Sequence, residues 1–103
     1  MKSQIWRQGD VTVIKVTALP ADAVAVEHDG VLARGEVTGH AHRMKGQVRY
    51  FRNERDLFME VVGFDARLDH EEHHSHYLKP GIYKVGIQKE WDWFSEEKRD
   101  VQD

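Results

Sequence analysis

At 103 residues the chain is long enough for one modest hydrophobic core and too short for two. Its content of 40% hydrophobic and 32% charged residues excludes a wholly disordered chain, and a net charge of -3 gives no general attraction to phosphate backbones. Cysteine is absent, which excludes disulfide staples, thiolate nucleophiles and thiolate-rich zinc sites.

No apolar run approaches the ~20 residues that a membrane helix needs. The first seven residues lack the apolar core of a signal peptide. Neither nucleic acid nor membrane is therefore an expected partner, and a cytoplasmic location is expected.

Residues 10–17 are rich in β-branched side chains and alternate in polarity, which predicts a strand opened by Gly9-Asp10 and closed by a turn over residues 19–22. Residues 23–28 and 31–37 flank Asp29-Gly30, which predicts a β-hairpin because both central residues of a type I′ turn need positive φ. The second arm runs into Thr38-Gly39-His40-Ala41-His42, where the two-residue period of an extended chain puts His40 and His42 on one face. Lys45-Gly46 predicts a turn, residues 47–52 a strand, residues 53–56 a polar tip, and residues 57–62 another strand before a bend at 63–65.

Residues 66–68 lead into His70-Glu71-Glu72-His73-His74-Ser75-His76, with four imidazoles and two carboxylates in seven residues. Pro80-Gly81 predicts a tight turn, residues 82–91 a last strand, and residues from about 95 to 103 a polar tail or short helix. Residues 1–103 are thus expected to form a single all-β domain, a small barrel or sandwich of jelly-roll or cupin-like type.

Six of the seven histidines fall in the two clusters, so the clusters read as two halves of one metal site. A regular strand over residues 70–76 would put His70, Glu72, His74 and His76 on one face, whereas a bend would bring His70 and His73 together. The duller alternative is a solvated polar loop, and for His28, beside the Asp29-Gly30 turn, that reading is preferred outright. Glu72 is a candidate fifth ligand, orienting partner or general base; Glu71 reads as a solvated charge. Glu36, four residues before His40, is a secondary ligand candidate, as are His74 and His76. The aromatics Trp91, Trp93 and Phe94 read as core or as the contact of a homo-oligomer.

The ordered series Gly9-Asp10-Val11, Gly35-Glu36-Val37-Thr38-Gly39-His40-Ala41-His42, His70-Glu71-Glu72-His73, Leu78-Lys79-Pro80-Gly81 with Tyr83 and Val85, and Gln88-Lys89-Glu90-Trp91 resembles a widespread family of small uncharacterised bacterial and phage proteins. That resemblance implies His40, His42, His70 and His73 as the shared set, with His74 and His76 as extras. It implies no activity. The likeness to cupins is partial: cupins follow His-x-His closely with a glutamate ligand, and here Arg43, Met44, Lys45 and Gly46 occupy that space.

The expected function is binding of a divalent transition metal (zinc, nickel, iron, copper or manganese) through His40, His42, His70 and His73, with metal-dependent catalysis left open. The alternative is a non-catalytic interaction or assembly module whose histidines form a structural metal site or a subunit contact. A binding module without metal is a third reading.

Overall fold

The structure of the chain, a computed structural model, describes residues 4–34 and 39–87. Its strands, in chain order, are β1 (Ile5–Gln8), β2 (Val11–Val16), β3 (Val24–Val26), β4 (Val31–Arg34), β5 (Ala41–Lys45), β6 (Val48–Arg52), β7 (Leu57–Val61), β8 (Ala66–Asp69), β9 (His76–Leu78) and β10 (Gly81–Ile87). They form two antiparallel sheets, one ordered β1-β2-β10-β7-β6-β3 and the other β4-β5-β8-β9. The all-β expectation holds, and among the described residues the strands do not close into a barrel. Among the same residues no helix is long and apolar enough to cross a membrane.

In β2, β8 and β10 alternating patterning decides which side turns inward, while β7 is buried along nearly its whole length. Val11, Val13, Met59, Val61, Tyr83 and Val85 from the larger sheet join Leu32, Met44, Leu68 and Leu78 from the smaller one in a single buried cluster. Each fully buried aliphatic or aromatic side chain there contributes roughly 1.5–3 kcal/mol of transfer free energy before entropy is charged against it. Trp6 of β1 closes one margin, its ring edge-on to Tyr83 with centroids 5.6 Å apart.

The predicted hairpin about Asp29-Gly30 is overturned. Its turn chemistry is present: Gly30 has φ +87°, the Val31 N–H donates to Asp29 Oδ1 at 3.0 Å, and the Gly30 N–H donates to His28 Nδ1 at 2.9 Å. Yet β3 pairs with β6 in the larger sheet and β4 pairs with β5 in the smaller. The turn is a corner between sheets because its first arm is held by β6 of one sheet and its second by β5 of the other. His28 stacks on Tyr50 of β6 with centroids 4.4 Å apart, and the Gly30 carbonyl accepts the Met44 N–H of β5 at 2.8 Å. His28 therefore stands apart from the other histidines, as expected, but it is packed against Tyr50 and not solvated.

The predicted strands at 10–17, 47–52 and 57–62 appear as β2, β6 and β7, and the last strand appears as β10 up to Ile87. Strands β1 and β9 had not been expected; at 4 and 3 residues they are too short to display a period. The tail, the end of the last strand, Glu36 and the aromatics Trp91, Trp93 and Phe94 lie outside the described residues.

Leu68 is completely buried where β8 runs up to the histidine loop. Leu68→Ala is expected to destabilise the protein by about 2–5 kcal/mol, read as a lowered midpoint in urea unfolding; a loss below ~1 kcal/mol would mean the shared core is not packed as described.

Candidate functional site

The histidine-rich stretch is the loop of a hairpin. Strands β8 and β9 pair through Ala66↔Leu78 and Leu68↔His76, so residues 70–75 leave the smaller sheet at one end and return. This loop is irregular, which settles the choice that spacing left open: it bends, and the rings of His70 and His73 lie with centroids 4.6 Å apart. Strand β5 pairs with β8 through Arg43↔Asp69, which carries His42 alongside His70 at 4.3 Å. His40, just ahead of β5, meets His70 edge-on at 5.7 Å, and His42 lies 5.9 Å from His73. All four histidines singled out in the sequence therefore converge.

A cleft of about 310 Å³ opens over them, lined also by Asp10, Glu72 and Arg34. Nitrogen or oxygen donors of His40, His70 and Glu71 lie within 4.8 Å of one another, which makes these three the tightest candidate ligand group among the described residues. Glu71 had been read as a merely solvated charge; instead its Oε1 accepts the Ala41 N–H at 3.0 Å. That backbone hydrogen bond is the main reason its carboxyl is held below the usual range, so it stays ionised beside the imidazoles. Glu72 places Oε2 3.5 Å from His40 Nδ1 and donates its own N–H to His70 Nδ1 at 3.0 Å.

The secondary candidates behave differently. His74 is exposed, and its backbone carbonyl rather than its ring is engaged, by Gln8 Nε2 at 2.8 Å. His76 turns its Nε2–H to the Arg7 carbonyl at 3.0 Å.

Sequence reading also passed over a third contributing segment, the β1–β2 turn. Gln8 is 2% exposed, and its Oε1 lies 2.8 Å from His42 Nδ1. Asp10 Oδ1 lies 3.6 Å from His42 Nε2. Between them Gly9 holds φ +59°, and a Cβ there would stand 3.0 Å from His73 Nε2 and 3.3 Å from His42 Cε1. In sequence, Gly9-Asp10 opens the series that carries the family resemblance, but its spacing from the histidines gives no sign that it belongs to their site.

The donor set is imidazole and carboxylate, which suits zinc, nickel, iron, copper or manganese. Fold and site together define an all-β protein of two antiparallel sheets with a histidine and glutamate cluster at the loop end of the smaller one. Residues 7–88 match the family model described as a domain of unknown function (DUF8820), and the chain belongs to that family. No match was found among curated proteins or among solved structures.

Burial, followed by the neighbouring His70, pushes the His42 imidazole below its usual pKa near 6.5. Below that value the unfolded chain takes up a proton that folded His42 resists, so this contribution to stability is intact above about pH 6.5 and is lost as pH falls toward the lower folded value. In chelator, the urea midpoint is expected to drop between pH 7.5 and 5.5, with a shallower drop in His42→Gln; identical slopes would contradict the assignment. Gly9→Ala should cost roughly 1–2 kcal/mol from the left-handed φ and shift the His73 ring resonances in NMR spectra.

Proposed function

We propose that this protein holds one divalent transition-metal ion at the loop end of its smaller sheet, with ligands drawn from His40, His70 and Glu71 and from the adjoining His42 and His73. One observation carries the reading: four imidazoles from two stretches some thirty positions apart in the chain are in ring contact beside a carboxylate pinned by a backbone amide. A merely solvated loop would gain nothing by gathering its rings, since each proton taken up by one would raise the cost of the next. A tetrahedral ion with bonds near 2.1 Å needs donor atoms about 3.4 Å apart. Drawing His40, His70 and Glu71 inward from within 4.8 Å is an adjustment of side chains, two of them on the β8–β9 loop and one just ahead of β5.

An ion so held would supply a Lewis acid in a solvent-accessible cleft. The chain's own contribution is orientation. The Ala41 amide keeps Glu71 ionised and aimed, and Glu72, beside His40, is the carboxylate placed to accept a proton from a bound substrate. Hydrolysis is the reaction class this supports best. In this reading the two sheets form a sandwich with the ion at one end, the placement that a jelly-roll or cupin-like relationship would give it. A structural role is a second reading, favoured by the way the cluster joins three chain segments: there the ion would pin the β1–β2 turn, the start of β5 and the β8–β9 loop as an assembly device.

As described, His70 Nδ1 accepts the Glu72 N–H, which leaves the ring proton on Nε2. Coordination through His70 Nε2 would exchange this bond, so the Glu72 amide resonance is expected to move on metal addition. Untagged protein should contain close to one equivalent of metal per chain by elemental analysis. His40→Ala and His73→Ala should lower metal affinity at least about tenfold, while His28→Ala leaves it unchanged; equal metal content in all three variants would contradict the site. If chelated protein stays folded, catalysis is favoured; if it unfolds, the structural role is.

A further inference from the structure

The β1–β2 turn does more than cover the cleft. The Gln8 side chain is buried, and its Nε2 donates to two backbone carbonyls, Leu68 O at 3.1 Å and His74 O at 2.8 Å. Carbonyls only accept, so the amide orientation is decided: exchanging its nitrogen and oxygen would set an acceptor against two acceptors. Gln8 Oε1 must then face His42 Nδ1, 2.8 Å away, and that nitrogen must carry the hydrogen. A neutral imidazole has one N–H, so His42 Nε2 bears a lone pair.

That lone pair sits 3.6 Å from Asp10 Oδ1, another acceptor. The separation is too long for a hydrogen bond from an imidazolium. It is also too short for an unstrained bridging water, which would hold its two partners about 4.4 Å apart. It is close to the ~3.4 Å between two ligands of one tetrahedral transition-metal ion.

We infer that Asp10 and Nε2 of His42 are a ligand pair for a divalent transition metal, with Gln8 as the positioning residue that fixes which His42 nitrogen coordinates. The inference rests on the metal reading above and extends its ligand set to the turn at residues 8–10. One tight turn supplies both parts: Gln8 ends β1 with its side chain inward, Gly9 takes the left-handed conformation, and Asp10 emerges on the cleft side. A Cβ at Gly9 would stand 3.0 Å from His73 Nε2, so the glycine lets the turn lie close against the histidines.

The test uses the full chain, with Zn²⁺ as the probe in competition with a chromophoric chelator, and long-range proton–nitrogen NMR spectra of the imidazoles. Metal-free protein is expected to show His42 protonated on Nδ1, and Zn²⁺ should shift the Nε2 resonance. Asp10 is a half-exposed turn residue, so Asp10→Asn should keep the metal-free melting temperature while weakening Zn²⁺ binding at least about tenfold. Gln8→Leu should mix the His42 tautomers; if that variant does not fold, the wild-type spectrum still decides the tautomer. Finding His42 protonated on Nε2 in metal-free protein, or Asp10→Asn binding Zn²⁺ within about twofold of wild type while wild type binds it well, would overturn this inference alone. Wild type failing to bind Zn²⁺ would overturn the metal reading and this inference with it.

Discussion

A single buried amide holds the site end of the molecule together. Gln8 uses both N–H groups on carbonyls of β8 and of the β8–β9 loop, and its oxygen meets His42 at the start of β5. Three segments that share no sequence neighbourhood are thereby locked to one another. Leaving any one of these groups without its partner inside the protein would cost about 1–3 kcal/mol. The restraint comes from an uncharged group, so it survives changes of pH and salt that would weaken an ion pair.

The hydrophobic core determines where that amide can sit. Leu68 and Leu78, both fully buried, anchor the two stems of the β8–β9 hairpin, so the loop between them emerges from a fixed base. Strand β5 lies beside β8 in the same sheet, and this pairing delivers His42 to His70. Rigid stems with an exposed loop suit ligand binding: the scaffold sets the geometry, and the loop side chains remain reachable from solution and free to adjust by fractions of an ångström. The carboxylates follow the same plan, with Glu71 fastened to a strand amide and Glu72 turned toward His40.

Much of this was legible in the residues alone. The alternation of Val11, Val13 and their neighbours marked β2, and similar patterns marked β6 and most of β10, because a half-buried strand must alternate, while β7 showed itself as a short continuous apolar run. The density of histidine at two places marked the cluster, and the resemblance to a family pattern separated His40, His42, His70 and His73 from His74 and His76. The Asp29-Gly30 turn was recognised, but its partner strands were misassigned: a turn signal reports the local backbone and not which strands lie beside its arms. Glu71 was undervalued because its interaction with the Ala41 amide spans thirty positions.

Side-chain type and spacing by themselves determined an all-β chain without thiols, its longer strands, and a set of imidazoles dense enough to demand a reason. Only the tertiary structure decided that the chain passes from one sheet to the other at Asp29-Gly30, that the histidine loop bends instead of extending, and that Gln8, Gly9 and Asp10 stand against the cluster. Local preferences act over a few residues and leave their mark in composition and period. Strand pairing and the buried contacts of a single amide are non-local, and which segments meet is settled by how the whole core closes.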